Sequence, residues 1–282
     1  MKTIQWVLLS TIILFTIATQ AARAEEPLDK SDVPSVDEIV NKANLMAYYQ
    51  GQDGKSSVSM KITDKSGNVR TRQFNILRKN DQLGGDQKYY VYFLQPPDVR
   101  RMVFMVHKHT ALDKDDDRWL YLPSLDLVNR IAASDKRTSF VGSDFLYEDV
   151  SGRGLEEDTH ELAEVTDEFF VVKNLPKDPA SVEFKFFTVR IDRKTYLPVR
   201  MEFFDKADTL YRTIESLKVE PIKAKEGDKE AEYITTTESV VKDLKSGSMT
   251  EMTFSNVQYN IGISDDIFTE RYLRRPPREA MR

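Results

Sequence analysis

Three short segments of this chain are apolar at every position: Tyr89-Tyr90-Val91-Tyr92-Phe93-Leu94, Met102-Val103-Phe104-Met105-Val106 and Phe169-Phe170-Val171-Val172. Neighbouring side chains of a β-strand point to opposite faces, so strands built from these segments carry large groups on both. A strand with one face in water alternates instead, as Val58, Met60 and Ile62 do with Ser57, Ser59 and Lys61. If one face of the fully apolar strands packs on a core, the other needs a second cover. A monomer rarely exposes such a patch unless it is a binding surface. Two architectures supply the cover. The sheet can curl into a half-barrel, with a helix inside it or across its mouth and an apolar cavity between, or two sheets can pack as a filled sandwich. The pattern alone leaves both open.

The rest of the chain reads mostly as strand. Asp64-Lys65-Ser66-Gly67-Asn68 turns the Val58–Ile62 strand into Val69–Arg78, a β-hairpin. Further candidates are Lys88–Leu94, Trp119–Leu122, Phe169–Lys173, Val182–Asp192, Leu197–Asp205, Leu210–Val219, Tyr233–Leu244 and Met249–Tyr259. Their hairpin spacing predicts a large antiparallel sheet. One helix is marked by Ser35 and Glu38, which have capping-box spacing. Behind them Val36, Ile39, Val40, Ala43, Met46 and Ala47 form one apolar stripe that ends before Gly51.

The N-terminus predicts export. Lys2 is a short positive start, Val7–Thr19 is a 13-residue run broken only by Ser and Thr, and Ala22-Arg23-Ala24 places small residues where a signal peptidase cuts. A helix needs roughly 20 apolar residues to cross a bilayer, so the run reads as a signal peptide, residues 1–24, cleaved after Ala24, and the periplasm as the compartment. The chain has no Cys, so no thiol is available for lipid attachment or disulfides, and the core must hold without staples. Cleavage removes Lys2 and Arg23 and no acid, leaving 39 basic and 46 acidic residues, a formal charge of −7. That balance argues against nucleic acid as a partner. Residues 25–282 carry no long Gly/Ser/Pro linker and no solenoid repeat, and are read as one domain with a basic tail at about 271–282.

Trp119-Leu120-Tyr121-Leu122-Pro123, Asn129-Arg130-Ile131 and Ser139–Asp149 (SFVGSDFLYED) alternate aromatic, strand-like pieces with polar turns. This block resembles the central motif of the LolA-like outer-membrane lipoprotein-sorting proteins. Ile191-Asp192 and Thr195-Tyr196-Leu197-Pro198-Val199-Arg200 resemble the hairpin those carriers use midway through their barrel. The likeness covers most of the mature chain. It is to the less-characterised branch more than to the dedicated lipoprotein carrier, because the chain is longer and holds the Ser139–Asp149 block. The resemblance implies a mainly β protein with few helices (α+β), a large antiparallel incomplete β-barrel of LolA/LolB type closed by helices. It also implies an apolar cavity that shields acyl chains, a lipid or lipidated protein as cargo, and an inner-membrane transporter of the resistance-nodulation-division type or an outer-membrane acceptor as partner. No cofactor is implied. Shielding matters because each buried methylene contributes ~0.8 kcal/mol.

On this reading the cavity candidates are Tyr92, Phe93, Phe104, Trp119, Tyr121, Phe140, Phe145 and Tyr147, with plain core packing as the alternative. Arg130 and Asp144 are charged positions flanked by apolar residues, and if both are buried they must pair. Gly142-Ser143-Asp144 lacks the Gly-x-Ser-x-Gly spacing of a serine elbow, no Cys nucleophile exists, and no catalytic group is assigned. An envelope assembly module and a hydrolase are the alternative functions. His107 and His109, two apart, would face one side and could take zinc with Asp113 or Asp115, but exposed strand-end histidines are the commoner case and no metal site is assigned. Asp113-x-Asp115-x-Asp117 begins like a calcium loop but has Arg118 and Ser124 where Gly and Glu belong, so it reads as a solvated hairpin loop. Lys223–Glu232, which alternates charge, reads as a solvated loop. Arg271, Arg274, Arg275, Arg278 and Arg282 form either a disordered solubilising end or a contact for anionic headgroups or an acidic partner.

Overall fold

The computed structural model describes residues 33–111 and 113–282. The expected signal peptide lies outside these residues. After helix α1 (Val36–Tyr48) the chain forms β1 (Asp53–Thr63), β2 (Val69–Asn80), β3 (Gln87–Gln95), β4 (Val103–Lys108), β5 (Asp117–Leu122) and β6 (Leu127–Ile131). A connection containing the short helix α2 (Tyr147–Ser151) leads to β7 (Asp158–Val165), β8 (Phe169–Pro176), β9 (Phe184–Asp192), β10 (Pro198–Asp205), β11 (Leu210–Glu226), β12 (Lys229–Asp243) and β13 (Ser248–Tyr259). Helices α3 (Arg271–Arg274) and α4 (Arg278–Met281) follow.

All thirteen strands belong to one antiparallel sheet ordered β6-β5-β4-β3-β2-β1-β13-β12-β11-β10-β9-β8-β7. The chain lays down one half from the centre outward, crosses to the opposite edge, and returns until β13 pairs with β1. The two edges, β6 and β7, do not pair with each other, so the barrel is incomplete. This is the half-barrel rather than the two-sheet sandwich. The segment between β6 and β7, which contains the Ser139–Asp149 block, is the strap that connects the edges across the inner face.

The inner face explains half of β3 and of β4, whereas in β8 Phe170 and Val172 are buried and Phe169 and Val171 only half-buried, so that strand does not have two covered faces. Tyr89, Val91 and Phe93 of β3 and Phe104 and Val106 of β4 join Val58, Met60 and Ile62 of β1, and Phe140, Phe145 and Tyr147 of the strap pack onto them. Phe140 sits centrally, its ring centroid 5.9 Å from Phe93, 5.5 Å from Phe104 and 5.6 Å from Tyr147. The outer face is covered by the C-terminus. Tyr90, Tyr92, Val103, Met105, Trp119 and Tyr121 pack under Ile263, Ile267, Phe268, Leu273 and Ala280. For β3 and β4 the second cover that the sequence demanded is therefore the chain's own tail. Leu273 and Ala280 are fully buried, so the expectation of a disordered end is corrected.

Three other expectations change. Strands β6 and β7 escaped the sequence reading because both are edge strands whose side chains are largely polar or exposed. The Lys223–Glu232 segment is not a loop but a strand pair, with Lys223 opposite Glu232 and Lys225 opposite Glu230. Opposite charges across a ladder support pairing without a core beneath them. Only Gly227-Asp228 turns, at a positive φ of 62° for Gly227. Finally, Ser35 caps α1 by accepting the Glu38 amide at 3.2 Å, while the Glu38 carboxylate pairs with Lys42 at 2.7 Å instead of reaching back to the cap.

Candidate functional site: the cavity beneath the first helix

Helix α1 lies over the inner face near β7, β8 and β10, and the strap fills the other part of that face. Between them is a cavity of about 440 Å3. That size falls within the roughly 300–1,000 Å3 of small-molecule pockets. Val40, Ala43, Met46 and Ala47 of α1 form its roof, and Ile76, Val91, Val189, Ile191, Met201, Ile214 and Phe254 of the sheet line its walls. Of the wall residues Ile76, Val189, Met201, Ile214 and Phe254 are only half-buried, so apolar surface faces the open space.

The end of α1 is held by polar side chains of the sheet. Arg78 donates to the carbonyls of Tyr48 at 2.8 Å and Gly51 at 3.2 Å and to that of Gln50, while Gln87 Nε2 donates to the Tyr48 carbonyl at 2.8 Å. A guanidinium at a helix C-terminus satisfies carbonyls that lack intrahelical donors and complements the helix dipole. Arg78 has no carboxylate within ion-pair distance among the described residues, and burial lowers its pKa. Gly152, just past α2, has φ 79°, and a Cβ there would lie 2.5 Å from the Tyr48 ring. Close passage of helix and strap depends on that glycine.

One side of the cavity is polar, with Asp149, Arg153, Asp158, His160 and Asn174. His160 and Asn174 bond each other at 2.7 Å, while Asp149, Arg153 and Asp158 belong to the buried ion pairs that anchor the strap. Glu148, 3% exposed, meets Arg137, Arg153 at 3.3 Å and Lys136 at 3.3 Å. Burial opposes its charge, but the three cations, Arg137 foremost, outweigh burial and hold the carboxyl below the usual carboxylate range. Arg137 also grips Glu183 through two bonds, at 2.8 and 2.6 Å. Burial likewise opposes the charge of Glu183, yet these bonds bring it down to about 2. Arg153 reaches Asp158 at 2.8 Å and Arg212 pairs with Asp149. Asp158 goes the other way: burial outweighs Arg153 and raises its pKa. Nearby, burial pushes Lys108 down to about 8, its ammonium bonded to the carbonyls of Ser151 at 2.8 Å and Gly152 at 3.2 Å.

Among the sequence candidates, Phe140 and Phe145 line the cavity. Phe93, Phe104 and Tyr147 share its face but lie in the packed core beside it. Tyr92, Trp119 and Tyr121 are on the outer face under the C-terminal segment, because alternation along β3 and β5 turns them away. Arg130 and Asp144 are not a pair. Arg130, with its side chain 67% exposed, binds Asp117 and lies over Trp119, whereas Asp144 accepts from Ser248 and Thr250 and pins the strap to β13. Ser143 Oγ bonds the Phe140 carbonyl at 2.7 Å and supports the turn in the strap. The two histidines diverge: His107 Nε2 bonds the Phe268 carbonyl, and His109 lies between Asp86 and Asp117. Among the described residues no three His, Cys, Asp or Glu side chains gather as a metal site. Sequence reasoning missed Glu148, although it sits inside the quoted block. Only its position between Tyr147 and Asp149, in a segment that had to be buried, could have flagged it.

An incomplete antiparallel barrel with a strap and a helix enclosing an apolar cavity is the LolA-like architecture. A family model described as "Uncharacterized protein"-like matches residues 85–275, and the chain belongs to that family. Among solved structures it is similar to a DUF1329 family protein from Desulfovibrio piger, at 29% identity over 84% of this chain and 97% of that one, TM-score 0.73. It is also similar to a domain from Vibrio parahaemolyticus assigned as an outer membrane lipoprotein-sorting protein, at 26% identity over 84% and 97%, TM-score 0.72. A LolA superfamily protein from Nitrosomonas europaea shares the fold at 17% identity over 85% and 100%, TM-score 0.63. No curated protein matches the chain. The resemblance read from Trp119–Asp149 therefore holds for the fold.

Proposed function

We propose that this protein is an exported, periplasmic carrier that holds the acyl chain of a lipid or lipidated protein in the cavity beneath α1 and passes it between membranes or membrane proteins. The observation that supports this is the open apolar space itself: Ile76, Val189, Met201, Ile214 and Phe254 face it without full cover from protein. An acyl chain completes their packing, and desolvation at ~25 cal/mol per Å2 drives its entry. Polar groups on one side keep the cavity from being a uniform apolar pocket and orient a guest with one polar end. The cavity's role requires no chemistry on the cargo. Release requires a partner, a transporter or an outer-membrane acceptor, that competes for the chain or moves the helix. The described residues contain no helix long and apolar enough to cross a membrane.

Mass spectrometry of protein purified from the periplasm should show co-purified fatty acid or phospholipid, with an N-terminus at Glu25. A fluorescent fatty acid should be taken up saturably, and Met201→Glu, which places a charge on the cavity wall, should weaken uptake at least tenfold while the fold is kept. Protein that emerges lipid-free and ignores the probe would sink the carrier reading and leave a protein-binding envelope module in its place.

A further inference from the structure

The arginines of the C-terminal segment are not a loose tail but a presented surface. Buried Ile267, Phe268, Leu273 and Ala280 fix the segment to the outer face, and Arg271, Arg274, Arg275, Arg278 and Arg282 all point into solvent. Among the described residues their one ion pair is Arg274 with Asp126, at 3.0 Å. That contact ties the segment to the β5–β6 turn, where Leu125 is 68% exposed, next to Leu127, the first residue of β6, which is 42% exposed. The β3–β4 turn, at the same end of the sheet, adds exposed Arg100 and Arg101. Seven guanidinium groups beside two bare leucines stand out on a chain whose residues 25–282 carry a formal charge of −7.

We propose that this arginine-and-leucine face docks the protein on an anionic phospholipid surface. Guanidinium groups fork onto phosphate oxygens. Leucines at a turn tip enter the headgroup boundary, a combination that an acidic protein surface does not call for. The face lies on the outside of the sheet, so docking leaves the inner cavity free for cargo. A carrier held at a membrane by one face and loaded through another exchanges its guest without crossing bulk water each time.

The purified protein is sedimented with vesicles of phosphatidylethanolamine mixed with phosphatidylglycerol, and with vesicles of phosphatidylcholine alone. Binding is expected to the first and not the second, and to fall as salt rises. Each basic residue near such a surface contributes a factor of about five, so the triple variant Arg271→Gln, Arg275→Gln, Arg278→Gln should bind roughly 100-fold more weakly. These side chains have no carboxylate partners among the described residues, so its circular dichroism and melting should match the parent. Leu125→Ser should weaken binding without changing its salt dependence. Uptake of a fluorescent fatty acid should be unchanged in both variants, which separates this proposal from the carrier reading. Equal binding to the two vesicle types, a triple variant that binds as well as the parent, or binding to soluble polyglutamate with vesicles ignored would each overturn it.

Discussion

The strap's anchor can be tested at one side chain, Glu148, which meets Arg137, Arg153 and Lys136. Glu148→Gln keeps the size of a side chain that is 3% exposed and removes its charge. Removing one partner from a buried ion pair costs ~3–5 kcal/mol when the other is stranded. Here the stranding is incomplete: Arg137 keeps both bonds to Glu183, at 2.8 and 2.6 Å, and Arg153 keeps Asp158 at 2.8 Å. The expected cost is therefore at the lower end, about 3 kcal/mol. For a domain of this size each kcal/mol moves the melting temperature by ~2–4 °C, so the variant should melt roughly 6–12 °C lower at neutral pH. The pH dependence carries a second signature. The Glu148 pKa is lowered in the folded protein, so its stabilisation is fully present above the ordinary pKa of 4.5 and is lost as pH falls through the folded value. The gap between parent and variant should accordingly close in acid, even though other carboxylates, Glu183 among them, titrate in both. Thermal melts of the two proteins at neutral and acidic pH decide it. A neutral-pH difference under ~2 °C, or a gap that widens in acid, would refute the account of Glu148 as the strap's central charge.

Other parts of the structure make independent forecasts. Leu273→Ala should cost about 3 kcal/mol in urea unfolding, because the fully buried leucine holds the C-terminal segment on the outer face; a loss under ~1 kcal/mol would show that the segment is not part of the cooperative unit. Gly152→Ala should destabilise by more than ~1 kcal/mol, since the position needs φ 79° and the new Cβ would meet the Tyr48 ring at 2.5 Å. Adding Tyr48→Ala should recover part of the loss, and no recovery would mean that φ alone is responsible. Arg78→Ala should raise hydrogen exchange in α1 by about tenfold relative to β1, as the guanidinium that joins the carbonyls of Tyr48, Gln50 and Gly51 is lost, and unchanged exchange would assign the restraint to Gln87, which still donates to Tyr48, and to Asn80, which donates to Gly51 at 2.9 Å.

How much of this was legible depended on range along the chain. The β1–β2 hairpin was readable because its alternation and its Asp64–Asn68 turn are local; the turn closes on the Asp64 carboxylate, which accepts the amides of Ser66 at 2.8 Å and Asn68 at 3.0 Å. The double-faced character of β3 and β4 was equally local, and it correctly demanded two covers. What covers the second face was not readable. Ile263, Ile267, Phe268, Leu273 and Ala280 are scattered among charges in a segment more than 150 residues downstream, and five arginines dominate its composition. Assigning both apolar faces to one cavity therefore put Tyr92, Trp119 and Tyr121 on the wrong side. The same arithmetic failed for Arg130 and Asp144: being flanked by apolar residues in sequence says which neighbours alternate with a charge, not whether the charge is buried. In a strand the flanking residues point the other way, so an apolar neighbourhood in sequence is compatible with a solvent-facing arginine, as Arg130 on edge strand β6 shows. Buried charge occurs within strands, as Lys108, Arg118 and Arg212 show, and also in the strap, where Glu148 is buried. The strap crosses the inner face without a ladder of its own, and Glu148, Asp149 and Asp144 supply from side chains the attachments that strands obtain from their backbones. A connection of that kind between two sheet edges must be held by specific polar contacts, and that requirement explains why the block that resembles the family's central motif is rich in acids as well as aromatics.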